Sequence, residues 1–173
     1  MHVNLIGPGR VGQALAASLL QTSSYSLMGI YHPNIEQAKK ITQQLKQGIP
    51  CDTLAALPTA DITFITTPDD TIPSLCTQLS NEATLKPESI IAHMSGILDS
   101  DVLMPVKKQN VSIGSLHPLK AFRKTHKPEH HAFKNVDCAI EGEARAVTCL
   151  TTLAQTLGAH VFDLAPEKKA TYH

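Results

Sequence analysis

The sequence predicts an α/β fold: a doubly wound, mostly parallel sheet with helices on both faces. Three observations predict it. Short β-rich runs alternate with helical runs along the chain. The first strand-to-helix junction, "LIGPGRVGQAL", carries three glycines where a strand should hand over to a helix. The length of 173 residues, with 42% hydrophobic and 17% charged, supplies a core for one domain of ordinary globular composition.

The elements follow in order. "HVNLI" is a strand, and Val11 to Leu20 a helix. "SLMGIY" is the next strand. Asn34 is placed to cap the helix after it, with Gln37 as the reciprocal partner. Ile35, Ala38, Ile41 and Leu45 share one face of that helix. Ile49 to Cys51 forms a small strand or only a turn. "ADITFITT" is a clear strand. Asp69 and Asp70 then suit a helix start, and Ile72, Leu75 and Leu79 continue its face.

"SIIAHM" is a further strand, and Asp99 or Ser100 caps a helix carrying Val102, Leu103 and Val106. "VSIGSL" and "FKNVDCAIEG" read as strands. The helix after them carries Val147, Leu150, Leu153 and Leu157, with Gly158 as its stop. "HVFDL" is the last strand, and Pro166 opens a final helix.

Charge and composition exclude some functions. Fifteen Lys+Arg balance fifteen Asp+Glu, which argues against a nucleic-acid partner. No stretch is apolar enough to span a membrane, and none reads as a signal peptide. Cys51, Cys76, Cys138 and Cys149 lack CxxC spacing, so neither a metal site nor a disulfide framework is expected; buried thiols in a reducing cytoplasm are. His126 and His130 have ligand-like spacing, but Pro128 lies between them and a polar loop is expected instead.

The glycines point to dinucleotide binding. Gly7 permits the tight turn, Gly9 lets the backbone approach a pyrophosphate, and Gly12 lets the helix pack close to the strand. Pro8 and Val11 complete the loop. The helix start offers N–H groups and a positive dipole end, and Arg10 adds a charge. A glycine-rich turn without a ligand remains the alternative. At the end of the second strand an acid would read the 2′-hydroxyl of NAD. Here His32 and Asn34 stand there instead, which tilts the expectation from NAD towards NADP; His32 is otherwise a solvated loop residue. Thr67 and Pro68 would line the cofactor beside the first loop.

"HMSG" and "GSLHPL" hold the catalytic candidates. Hydride transfer at a carbon bearing oxygen or nitrogen needs a proton donor or acceptor, and His117 is the candidate because an unperturbed imidazole changes charge near neutrality. Ser95 would hydrogen-bond a substrate oxygen, Gly96 would leave room, and Lys120 would attract a carboxylate. The alternative for His117 is a strand terminator whose imidazole bonds backbone. His93, inside a strand pattern, reads as a satisfied core histidine.

"GPGRVGQALA", "FITTPDDTI", "HMSGILDSDVL", "GSLHPLKAF" and "KKATYH" occur in this order. On these motifs the chain resembles the N-terminal domain of a family of Rossmann-like proteins that carry a following domain of unknown function. That family is related to pyrroline-5-carboxylate reductase, prephenate dehydrogenase and the β-hydroxyacid dehydrogenases. The resemblance implies a cytoplasmic NAD(P)-dependent oxidoreductase of a small-molecule substrate, with a helical second domain that builds a homodimer. It implies a dinucleotide-binding domain over residues 1–165, with residues 166–173 starting a helix towards a second domain that the sequence does not contain. In β-hydroxyacid dehydrogenases the catalytic lysine lies on that connecting helix, a location shared here by Lys169 and His173; a solvated basic helix start is the other reading.

Overall fold

The computed structural model of the chain describes residues 1–123 and 130–163. Pro166, Lys169, His173, His126 and Pro128 lie outside the described residues. Among the described residues eight strands form one sheet: β1 (His2–Ile6), β2 (Ser26–Tyr31), β3 (Ile49–Cys51), β4 (Ile62–Ile65), β5 (Ile90–His93), β6 (Ser112–Pro118), β7 (Asp137–Gly142) and β8 (His160–Asp163). Their order is β3-β2-β1-β4-β5-β6-β7-β8. Every pairing is parallel except β6 with β7.

Strands β1 to β6 thus have the 3-2-1-4-5-6 order of the doubly wound dinucleotide folds, with the reversal between β1 and β4. β7 can run antiparallel to β6 because such a pair needs no crossover helix.

Among the described residues four α-helices cover the sheet: α1 (Arg10–Leu19), α2 (Ile35–Leu45), α3 (Ile72–Glu82) and α4 (Ala144–Thr156). Strand alternation divides the core. Leu5, Phe64, Ala92 and Leu116 face one layer with α1 and α4, through Leu15 and Leu150. Ile6, Ile65, Ile91 and Ile113 face the other, with Leu75 and Leu79 of α3 and with Leu103 and Val106.

α1 is alanine-rich and buried over most of its surface, so it lies close against the strands. Asn34 caps α2 as expected, but its Oδ1 accepts from Glu36 N–H at 3.0 Å, and Gln37 approaches the cap only through its own backbone N–H. The helix expected after Asp99 and Ser100 exists over Ser100–Gln109 as a 3-10 helix with Pro105 inside it. Proline removes an N–H and crowds the carbonyl four residues back, which disfavours α winding. Gly158 stops α4 at φ 79°.

The amino-terminal edge of the sheet is tied by Asp61, which accepts from His2 N–H at 2.7 Å and pairs with Lys86 at 2.5 Å. Lys86, and after it the His2 N–H, holds the Asp61 carboxyl below the usual carboxylate range. A lowered folded-state pKa gives stability that is present above the unfolded pKa of about 3.9 and is lost as pH falls through the folded value. Asp61→Asn should therefore cost on the order of 1 kcal/mol at neutral pH, and that gap should close in acid. Urea unfolding of both proteins across pH checks it.

Candidate functional site: the carboxyl-terminal edge of the sheet

The loop after β1 is built by its glycines. Gly7 sits at φ 63°, donates to Tyr31 O at 2.9 Å, and would carry a Cβ only 2.0 Å from Thr67 Cγ2. No side chain fits that turn. Gly12 faces Thr66, whose Oγ1 lies 2.3 Å from the place a Cβ would take. The close approach read from the third glycine is therefore real, and its partner is the residue after β4.

Thr66 also clips the two loops together, donating through Oγ1 to Gly7 O at 3.0 Å with Ile6 O at 3.2 Å. Gln13 Nε2 holds the loop from the helix side through Pro8 O at 3.0 Å. The sequence reading named Thr67 and Pro68 but neither Thr66 nor Gln13. A threonine between a parallel strand and its loop, facing the third glycine, was the available signal for Thr66.

Gly9 differs from its neighbours. Its φ of −72° is not the left-handed conformation of Gly7, and a Cβ there would meet nothing nearer than Thr66 O at 3.8 Å. Packing around it does not require glycine at this position. Gly9 is the N-cap of α1, no side chain caps it, and the first turn holds no acid. Helical geometry leaves the N–H groups of Arg10, Val11 and Gly12 without acceptors inside the helix, beside the space that a Gly9 side chain would fill. Thr67 Oγ1, next to this loop, is buried without a hydrogen-bond partner, and Pro68 and Arg10 are exposed at the rim. A bare backbone, free N–H groups and a positive helix end suit a pyrophosphate.

At the end of β2, His32 Nδ1 accepts from Asn34 N–H at 3.0 Å, so the ring proton sits on Nε2. Asn34 spends its side-chain oxygen on the α2 cap. His32 is thus a donor at the ribose-reading position; β2 itself ends without a carboxylate, while Asp52 follows the Cys51 carbonyl that accepts from His32 N–H at 3.3 Å.

Ser95 follows β5 and His117 lies near the end of the adjacent strand β6, and the structure brings the two segments together: His117 Nδ1 donates to Met94 O at 3.3 Å. Part of the bland reading of His117 holds, since one nitrogen bonds backbone. That bond assigns the neutral ring's lone pair to Nε2. Ser95 is buried, and its Oγ accepts from Ile97 N–H at 3.1 Å and Leu98 N–H at 3.0 Å. It therefore shapes its loop and retains one O–H proton to donate. His93 is a satisfied core histidine: Nε2 donates to Asp99 O at 2.9 Å and Nδ1 accepts from Ser95 N–H at 3.2 Å. Lys120 is turned to Ala132 O at 2.8 Å and lies 5.5 Å from the Phe122 ring centre. Among the described residues no group of three His, Cys, Asp or Glu could hold a metal.

Ser95→Ala should destabilise the fold by about 1–2 kcal/mol, because two loop N–H groups lose their acceptor. Urea unfolding measures this, and any activity loss in the same variant has to be read beside it.

β1, β4, β5 and β6 are neighbours, so their loops spread over roughly 14 Å, three strand spacings of ~4.8 Å. The phosphate loop lies at one end of that span and Ser95 and His117 at the other. Together the strand order and the glycine corner define a dinucleotide-binding α/β domain. The chain belongs to the Rossmann-like domain family, whose model matches residues 1–118.

Among solved structures it is similar to a Bacteroides fragilis protein provisionally described as an NADP oxidoreductase, at 22% identity and a TM-score of 0.82, covering 99% of this chain and 63% of that one. It is also similar to Synechocystis arogenate dehydrogenase, at 19% identity and a TM-score of 0.80, covering 98% and 61%. A third is prephenate dehydrogenase from A. aeolicus, solved with hydroxyphenyl propionate and NAD+, at 14% identity and a TM-score of 0.78, covering 98% and 61%. The chain spans about three fifths of the length of these proteins. No curated protein matches the sequence. No helix among the described residues is long and apolar enough to cross a membrane.

Proposed function

We propose that the chain binds NAD(P), with NADP preferred, and forms the cofactor half of an oxidoreductase acting on a small molecule. The observation that carries this reading is Gly9: a glycine whose side-chain direction is open, at an uncapped helix start on the switch point of the sheet. When bound, the cofactor supplies hydride chemistry, and the chain supplies position and protons. The N–H groups of Arg10, Val11 and Gly12 hold the pyrophosphate. Thr67 and Pro68 flank it. His32 Nε2–H donates to the 2′ substituent of the adenosine ribose, and the lack of an acid at the end of β2 itself lowers the repulsion on a 2′-phosphate.

On this reading His117 exchanges a proton with the substrate through Nε2, and the Ser95 hydroxyl donates to the substrate oxygen or nitrogen. Lys120, already turned to Ala132 O, acts on a substrate carboxylate only after leaving that carbonyl. Residues 1–165 are the dinucleotide domain. A second domain or a second copy of the chain completes the pocket, a reading supported by the longer chains of the structural neighbours.

A non-catalytic, redox-sensing module is the second reading. It is favoured by the engagement of Ser95 Oγ and Lys120 Nζ in bonds within the protein.

Titration by cofactor fluorescence should show NADPH binding more tightly than NADH, by about tenfold if one extra charge-assisted bond forms. Equal affinity would remove the role given to His32. Oxidation of bound NADPH by a panel of keto acids and imines would favour the enzyme over the sensor.

A further inference from the structure

A second cleft, of about 600 Å³, opens at the opposite edge of the sheet. Met1 precedes β1, Asp61 precedes β4, and Ser89 and Ile90 lead into β5; α4 closes the side through Arg145 and Cys149. Because these strands are parallel, this edge lies a full strand length from the glycine loop and from Ser95 and His117. The dinucleotide reading does not use it. Its volume falls within the ~300–1,000 Å³ of small-molecule sites.

The chemistry of the lining is specific in one respect. The walls are mostly apolar, with Tyr25, Pro87, Ile90 and Met1 offering ring and hydrocarbon surface. The charged side chains come as two opposite-sign pairs, Lys86 with Asp61 at 2.5 Å and Arg145 with Glu88 at 3.2 Å, and the Met1 ammonium beside them donates to Ser24 O. Both cations and Glu88 are more than half exposed, at 53%, 55% and 66% of the side chain. The Arg145–Glu88 pair, exposed on both sides, contributes little and opens at small cost, whereas Asp61 is held by both Lys86 and the His2 N–H. A ligand with a single charge would capture one member of a pair and leave the other without its partner. A ligand carrying both charges replaces the lost partner on each side.

We propose that this cleft is a binding site for a small apolar zwitterion, an α-amino acid with an aromatic or branched side chain. Its carboxylate meets Arg145, its ammonium meets Glu88 or Asp61, and its side chain lies on Tyr25, Pro87 and Ile90. The site is separate from the cofactor site and stands whether or not the chain is an oxidoreductase.

Cys149 provides a local reporter, because it lines the cleft and is partly exposed while Cys51, Cys76 and Cys138 are buried. Burial pushes its thiol up, with Arg145 acting in the opposite direction, so labelling is run at alkaline pH.

The experiment compares L-phenylalanine with 3-phenylpropionate, which lacks the ammonium, and phenethylamine, which lacks the carboxylate. Protection of Cys149 from N-ethylmaleimide and amide shifts at Ser89, Ile90 and Cys149 are both read on the 173-residue chain. The expected result is saturable binding of L-phenylalanine on the order of 1 mM, at least about tenfold weaker binding of each analogue, and a similar loss in Arg145→Gln. Equal binding of all three probes, tighter binding of either analogue, or no shift and no protection with L-phenylalanine would each overturn the proposal. So would shifts at these amides that depend on protein concentration without ligand, since a second copy would then fill the cleft. Cofactor fluorescence measured on the same samples separates this outcome from the fate of the dinucleotide reading.

Discussion

Replacing Gly9 with valine should abolish dinucleotide binding, by at least about 100-fold, and leave thermal stability within roughly 1 kcal/mol of the wild type. The two halves of this expectation have different causes. Stability is spared because the Cβ direction at Gly9 is empty to 3.8 Å. Binding is lost because that empty direction is where a pyrophosphate must come to reach the N–H groups of Arg10, Val11 and Gly12. Several charge-assisted bonds of about 1.5–3 kcal/mol each depend on that approach. Fluorescence titration with NADPH, paired with a melting curve, reads both halves. Unchanged affinity in a folded Gly9→Val protein would remove the pyrophosphate from this corner and the redox assignment with it.

The same comparison explains what the sequence could and could not carry. Gly7, Gly9 and Gly12 were legible because their roles are conformational: a positive φ, an open approach and a close helix crossing are each a reason for glycine that a string of letters can express. The alternation of β-rich and helical runs was legible for a similar reason, since apolar period and turn residues are local. The hydrogen bonds of the candidate site are not local. That His117 meets Met94 O, and that Ser95 Oγ serves Ile97 and Leu98, follows from how β5 lies beside β6 and how the chain turns after it.

The direction of β7 was hidden as well. "FKNVDCAIEG" has the same apolar pattern whichever way it runs. Orientation is decided by the connection, and the described parts of 119–136 hold no helix that would carry a parallel crossover. The 3-10 winding of Ser100–Gln109 was expressible through Pro105, yet Val102, Leu103 and Val106 suggested a helix of the ordinary kind.

That reversed seam holds the largest stability effect expected in the molecule, at a glycine outside the phosphate motif. Gly142→Ala should cost about 3–5 kcal/mol, a large share of the 5–15 kcal/mol that holds a typical domain folded. Gly142 pairs with Gly114 across β7 and β6, sits at φ 133°, and would place a Cβ 2.5 Å from Gly114 Cα and 2.6 Å from Ile113 O. Both obstacles are backbone, and Gly114 has no side chain left to remove. Gly114 cannot move away either, because its own Cβ direction is already closed by Ala146 and Leu150 of α4.

Gly12→Ala makes the contrast. Its obstacle is the Thr66 side chain, at 2.3 Å for Oγ1 and 3.0 Å for Cβ, so adding Thr66→Ala should recover part of the loss. Urea unfolding of the two single variants and the Gly12→Ala/Thr66→Ala double variant tests both statements together. A Gly142→Ala protein as stable as the wild type would mean that β6 and β7 do not approach as closely as this register requires, and α4, which starts two residues later, would lose the anchor that sets it across the sheet.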